Sequence, residues 1–554
     1  MKLKLFLIAL AAIGSVFSLS GFAQSYSIAN ARIVTVSGAT IEKGTIVIRD
    51  GVIEAVGANA KSPADAQVLD GTGLTVYPGF LDTLTSLGVQ AQTAPRPPGG
   101  PGQGGGPAAA ATVAASPSSS NYPVGLRPEV TAIEDLRGGD AQFETNRNAG
   151  FTTVLTVGRT GIFNGQSALI NLAGDSTSTI IVKAPIAEHI SFSTIPGQYP
   201  GSLLGTFSVL RQMLLDAQRL QEIQKMYAAN PKGMKRPDAD RSLEALIPIL
   251  NRQMPVVFNA NREIEIVRAL DLAKEFNLKT IIAGGQEAWK VVDRLRAQNV
   301  PVLLSLNFPK RTAAASPEAD PETMDLLRFR AETPKGAAKL AQAGVKFAFQ
   351  SGGMTSIGDF VTNAGKAVEG GLDKDAAIRA MTLSSAEILG VDDRLGSLEE
   401  GKIANLTVVK GDLFGKEKRI THVLVDGKPF EQKELPKQVA TPGAPGTPAG
   451  ATPAVMAVAG NYSVTIDVPG QTLTGTMALT QQGAVLTGSM QTQLGTTPIK
   501  DGKIAVDGFT FSGTVEFGGS TIEIIVKGTV SGNQISGTID SPQGTVPFSG
   551  TRNP

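Results

Sequence analysis

The chain contains no cysteine, only two histidines and one tryptophan among 554 residues, and aromatic residues make up just 5% of it. The missing cysteine excludes disulfides, thiol nucleophiles, iron–sulfur clusters and every zinc site built on thiolate. It also excludes a lipid-modified N-terminal cysteine. With His189 and His422 as the whole supply of imidazole, any histidine-based site has little to draw on. A dominant charge is missing too. Fifty basic residues face 49 acidic ones, for a formal net charge of +1, a balance that gives no footprint for nucleic acid. Apolar residues reach 42%, which rules out a disordered polyelectrolyte, and the length suits two to four domains at about 150 residues each.

No hydrophobic run is long enough to span a bilayer, which takes about 20 residues. The run Leu5–Phe17 follows Lys2 and Lys4 and precedes the small residues around Gly21-Phe22-Ala23. That order predicts a signal peptide over 1–23, a mature chain starting at Gln24, no membrane anchor, and a periplasmic or extracellular location. Loss of the two lysines would change the formal charge from +1 to −1.

Two stretches are poor in everything except Pro, Gly, Ala, Ser and Thr. Residues 91–120 carry one charge and bury nothing, which predicts a long exposed loop, and residues 431–457 read as a Pro-rich linker. Beyond that linker, 458–554 read as all-β. A tetrad of apolar residue, polar residue, Gly and Thr or Ser recurs at Leu473, Leu486, Phe511, Val526, Ile535 and Phe548. Period-2 alternation surrounds each tetrad, and Asp501-Gly502, Asp507-Gly508, Gly518-Gly519 and Gly532-Asn533 read as tight turns. The expectation is a small antiparallel barrel of seven or eight strands resembling the calycins, with a filled core and no catalytic group.

The region between alternates strands and helices. Residues 256–304 read as strand, helix, strand, helix, strand, with Leu270, Ala273 and Phe276 at helical spacing before Asn277. Residues 335–349 add a helix ending at Gly344 and the strand that follows. Repeated β-then-α units of this length imply a parallel sheet, open or closed into a barrel. Residues 27–57 instead read as antiparallel strands turning at Asp50-Gly51, and 396–430 return to that style. Two β-rich flanks around one βα array suggest a composite β-sandwich built from 24–78 and 396–430.

Several ordered motifs then point to a family. Val76-Tyr-Pro-Gly-Phe-Leu-Asp82, Gly150-Phe-Thr-Thr-Val154, Gly165-Gln166, Ala380-Met-Thr-Leu-Ser-Ser-Ala-Glu-Ile-Leu-Gly390, Asp393-Arg-Leu-Gly-Ser-Leu-Glu-Glu-Gly-Lys402 and Ala404-Asn-Leu-Thr-Val-Val409 resemble the amidohydrolase superfamily, specifically its secreted imidazolonepropionase-like branch. The resemblance covers roughly 27–90 and 121–430. It implies an α/β fold, a (β/α)8 TIM-type barrel over 79–395 flanked by the β-sandwich. It also implies hydrolysis of C–N bonds other than peptide bonds, with one or two divalent metal ions such as zinc activating water at the barrel mouth.

The resemblance further implies where the metal ligands would fall. They fall on Leu84 and Ser86 after Asp82, on Asn259 and Asn261, on Ala283-Gly284-Gly285, and on Ser351-Gly352. None of these side chains supplies imidazole or carboxylate, so no metal ligand and no cofactor is assigned. Asp82 and His189 are the weak catalytic candidates, each with a structural role as its alternative, and His422 reads as structural. Asn259, Asn261 and Ser351 are the candidate ligand-binding residues.

Three functions are therefore weighed. The first is a metal-free pseudoenzyme that binds a small molecule or partners an active amidohydrolase relative, with a homo-oligomer as a further form. The second is an active hydrolase with an unconventional site. The third is a binding scaffold that works through the C-terminal barrel.

Overall fold

The computed structural model describes residues 25–89, 122–432 and 458–553. Short interruptions fall at 124, 140, 175, 195–198, 311–321 and 355, and at 469–470, 484, 493–494, 505–507, 518–519, 532–533 and 542–543. The expected signal peptide, the loop 91–120 and nearly all of the linker lie outside the described residues. The chain divides into two compact units, 1–435 and 436–554.

The first unit opens with β1 (Ser25–Ile33), β2 (Ile41–Arg49), β3 (Val52–Gly57), β4 (Gln67–Asp70) and β5 (Leu74–Pro78). Asp50 and Gly51 both take positive φ, 51° and 82°, which is the geometry a two-residue type I′ hairpin needs to match strand twist.

The barrel strands follow. They are β6 (Phe80–Thr85), β7 (Phe151–Thr156), β8 (Phe163–Gln166), β9 (Ala168–Asn171), β10 (Ile181–Lys183), β11 (Glu188–Ser191), β12 (Val256–Ala260), β13 (Thr280–Gly284), β14 (Val302–Ser305) and β15 (Phe347–Gln350). The chain then returns to the flank as β16 (Leu406–Lys410), β17 (Arg419–Val425) and β18 (Lys428–Glu431).

The flank is one hydrogen-bonded sheet of eight strands, in the order β18-β17-β16-β5-β1-β2-β3 with β4 also on β1. Both β-rich flanks contribute strands to it. β5 pairs with β1 on one edge and β16 on the other, so the two ends of the chain share one sheet. Ile28, Ile33, Ile46, Ile48, Val76, Leu406 and Leu424 form its core.

In the barrel β6 and β7 run parallel, as do β11 through β15. The third position departs from an all-parallel barrel. Residues 163–171 form one bent segment, broken at Ser167, whose halves pair antiparallel with β11 and β7. Only residues 157–162 separate β7 from β8. A parallel crossover needs about a dozen residues or more, so this link makes a hairpin.

Alternate residues of the parallel strands fall into two clusters. Phe258, Ile282, Leu304 and Phe349 pack outward with the helices, while Val257, Ile281, Leu303 and Ala348 pack together with Leu389, Val391 and Leu395. This period-2 partition separates the outside of the barrel from its interior. The helix Glu263–Glu275 buries Leu270 and Ala273 as its spacing predicts, and Asn277 ends it at a positive φ of 51°.

No ladder joins β15 to β6 among the described residues. The Thr83 hydroxyl instead donates to the Phe349 carbonyl at 2.9 Å, and the Ser351 amide donates to Asp82 Oδ1 at 3.0 Å. Barrel and flank are joined by a polar network. Asn171 Oδ1 accepts from Thr153 and Asn405, and Asn171 Nδ2 donates to Asp426 at 2.7 Å.

The second unit is a closed antiparallel barrel. Nine strands run from Gly460–Val468 to Gly544–Arg552. Gly495–Pro498 and Lys500–Ile504 share one place against Val485–Thr492, which leaves eight places around the ring. The apolar member of each tetrad is buried, and the glycine two residues on lies over a neighbouring backbone. A Cβ at Gly528 would sit 2.7 Å from the Phe509 ring and 2.9 Å from the Ser536 carbonyl. Asp501-Gly502 is corrected from a turn to an irregularity within the strand Lys500–Ile504, where the register against Phe509–Phe517 shifts. The turns at Gly518-Gly519 and Gly532-Asn533, and Asp507, lie outside the described residues.

Candidate active site

The C-terminal ends of barrel strands are where this architecture places chemistry. Asn259 on β12 is half-buried and stands opposite Ser191, the last residue of β11. Its Nδ2 donates to Ser191 Oγ at 2.9 Å and to Asn164 Oδ1 at 3.2 Å, and the Ser191 hydroxyl donates to the same Asn164 oxygen at 2.6 Å. Asn164 reaches this end because β8 runs opposite to its neighbours. Its own amide is held by the Gly161 carbonyl at 3.2 Å.

A second group lies around the ends of β14 and β15. Ser305 Oγ accepts from the Asn307 amide at 3.2 Å, and Asn307 Nδ2 donates to the Gly352 carbonyl at 3.4 Å. Gln350 is buried and donates to the Leu303 carbonyl, but its Oε1 has no partner among the described residues. Asn261 is exposed, with its amide over the Cα of Gly284. A side chain at Gly284 would collide with it, and the φ of 92° there suits glycine. Every side chain in these two groups is an uncharged amide or hydroxyl.

Of the two catalytic candidates, Asp82 adjoins the second group through Ser351 and His189 lies inside the barrel. Asp82 is fully buried, and its Oδ1 accepts from the backbone amides of Ser351 and of Leu84 at 3.2 Å. Oδ2 has no partner among the described residues, and burial pushes the carboxyl up to about 6 against the hydrogen bonds that pull it down. The sequence leaves His189 able to face the mouth. It lies instead on β11 two residues before Ser191, fully buried, with Nε2 3.0 Å from Ser167 Oγ and Nδ1 unpartnered among the described residues. Burial pulls its pKa down to about 3, so the ring is neutral. Ser351 is buried and contributes its amide to Asp82. His422 lies on β17 in the flank, half-buried and lowered by that burial.

The residues at the expected metal positions do not fit a divalent transition ion. Leu84, Gly284, Gly285 and Gly352 present no donor atom, while Ser86, Asn259 and Asn261 present neutral oxygen or amide. Such ions favour imidazole, thiolate and carboxylate. Among the described residues no three His, Asp or Glu side chains converge on a point that could hold an ion.

Sequence reading missed Asn164, Ser191, Ser305, Asn307 and Gln350. Asn164 stands directly before the quoted Gly165-Gln166, and Ser191 and Asn259 close their strands with a polar residue, which is the only signal available. It missed Glu188 as well. That side chain is fully buried with no hydrogen bond to either oxygen among the described residues, and burial and then Glu129 hold its pKa well above the carboxylate range.

The amidohydrolase family profile matches residues 327–430. Among solved structures, an amidohydrolase from Thermotoga maritima is 25% identical. The match covers 74% of this chain and all of that one, with a TM-score of 0.60. An Xaa-Pro dipeptidase with methionine bound in its active site is 18% identical over the same 74% of this chain and all of its own, with a TM-score of 0.45. No curated protein matches the sequence. The profile and the Thermotoga structure together support the amidohydrolase superfamily for this chain.

Proposed function

We propose that this is an exported, metal-independent member of the amidohydrolase superfamily, from its imidazolonepropionase-like branch, that binds a small uncharged polar molecule at the barrel mouth. The observation that carries the reading is the Asn164–Ser191–Asn259 constellation, three neutral side chains bonded to one another at the strand ends. Hydrolysis in this superfamily needs an ion to acidify water and a base to take its proton. Here the candidate carboxylate, Asp82, is engaged with two backbone amides, and His189 is held at Ser167 within the barrel.

Amides and hydroxyls both donate and accept, so they suit a ligand that does the same, such as a lactam, an imidazolone or a primary amide. Partnership with an active relative, or with a second copy, would give such a subunit its role. Elemental analysis of the purified mature protein, with hydrolysis of amides, lactams and imidazolones assayed with and without chelator, tests the reading. The expected result is no stoichiometric metal and no chelator-sensitive turnover. About one zinc or manganese per chain, with activity lost to chelator, would establish the hydrolase reading instead.

A further inference from the structure

We propose that the opposite end of the barrel, where its strands begin, is a binding site for a small multivalent oxyanion such as a polyphosphate or a polycarboxylate. A cavity of about 870 Å³ opens there, within the range of small-molecule sites. Pro255, Lys279, Pro301 and Lys346, which lead into β12, β13, β14 and β15, line it. Its walls carry six cations, Lys183, Arg252, Lys274, Lys279, Arg296 and Lys346, and among the lining residues one carboxylate, Glu387. In a chain whose charges balance almost one to one, that local excess is a feature of the fold.

Part of the excess answers the fold's own electrostatics. Barrel helices end at this face, and each C-terminus carries about half a negative charge that nearby cations offset. Five such ends border the cavity, at Asn251, Phe276, Gln298, Ala343 and Gly390. Together with Glu387 they leave roughly two to three positive charges uncompensated.

Three of the cations are also spoken for. Lys346 pairs with Glu387 at 2.9 Å, Lys183 donates to the Gly390 carbonyl at 2.7 Å, and Arg252 donates to Asn277 Oδ1 at 2.8 Å. Lys274, Lys279 and Arg296 are exposed and have no ion pair or side-chain hydrogen bond among the described residues. A separate observation lies in the wall itself. Thr280 lines the cavity at 5% exposure, and its hydroxyl has no partner among the described residues.

The multivalency follows from magnitude. One exposed ion pair changes affinity by about fivefold at best, so a monovalent anion gains little here. An anion that engages three cations at once gains about a hundredfold.

Calorimetric titration of the full chain with tripolyphosphate and with citrate, at low and at high salt, tests this. The expected result is one saturable site that salt weakens. The triple variant Lys274→Glu, Lys279→Glu, Arg296→Glu should lose about a hundredfold in affinity while still unfolding cooperatively, its midpoint lowered only by what acidic groups at two helix C-termini cost. A control triple reversal at the exposed Lys61, Lys225 and Lys232 should bind like the wild type. Tighter binding of tripolyphosphate would make the ligand a polyphosphate, and tighter binding of citrate a polycarboxylate. No saturable binding of either anion, or an equal loss in the two triple variants, overturns the proposal.

Discussion

The Asp82 carboxylate accepts the Ser351 backbone amide at 3.0 Å across the one junction of the large barrel that no described β-ladder bridges. A second bond, from the Leu84 amide to the same oxygen, fixes the carboxylate within β6. The residue standing beside the superfamily's expected metal position thus fastens the last strand to the first.

Burial raises Asp82 from 3.8 to about 6, so the native state holds this proton more tightly than the unfolded chain does. Stability from this group is therefore present below about pH 4 and is lost as pH rises through 6. Asp82→Asn keeps the Oδ1 acceptor and removes the titration. Relative to wild type it should gain about 3 kcal/mol between pH 4 and 7, because each tenfold difference in proton affinity between the two states is worth about 1.4 kcal/mol. Urea denaturation of both proteins at the two pH values checks the sign, and a constant difference would contradict it.

His189 has the opposite sign. Its pKa falls from 6.5 to about 3, so below pH 6.5 the unfolded chain binds the proton that the native state refuses. Stability from this group is present above 6.5 and is lost as pH drops toward 3. His189→Gln should gain about 3 kcal/mol on wild type between pH 7 and 4.5. Between pH 4 and 6 the two groups oppose each other. The wild type should therefore show a flatter stability profile than either single variant.

Asn259→Ala separates binding from folding. Asn164 Oδ1 keeps its bond from Ser191 after the change, so the stability cost should be about 1 kcal/mol. A lactam, imidazolone or amide that raises the wild-type melting temperature should bind the variant at least tenfold more weakly by calorimetry. Unchanged affinity would move the ligand away from this constellation.

The C-terminal unit should fold alone, because every strand of its ring pairs within 458–554. A fragment with these bounds should melt cooperatively by circular dichroism. Gly528→Val, whose Cβ would press on the Phe509 ring and the Ser536 carbonyl, should cost that fragment 2 kcal/mol or more, roughly the scale of core overpacking. A disordered fragment would place the boundary elsewhere.

Much of the architecture was legible because it rests on local signals. Asp50-Gly51 marks its hairpin through backbone preference, Leu270, Ala273 and Phe276 mark a helix through spacing, and the six Gly-Thr/Ser tetrads mark strands of the C-terminal barrel. The reversed third barrel position was not legible, since it depends on the short link 157–162 meeting two neighbours distant in sequence. The placing of β5 between β1 and β16 was hidden for the same reason, because β5 reads alike whether one strand or two lie beside it.

By itself the sequence determined which chemistry is available. Without cysteine, with two histidines and with Leu84, Asn259, Gly284 and Gly352 where the resemblance puts ligands, thiolate is excluded and imidazole is scarce however the chain folds. Only the tertiary structure decided where the remaining polar groups act. Asp82 meets a residue 269 positions away, His189 turns to Ser167 in the buried interior, and Asn164 joins Ser191 and Asn259 at the mouth. Hydrogen bonds and desolvation depend on distances of a few ångströms, and the closure of the barrel sets those distances, not the order of residues along the chain.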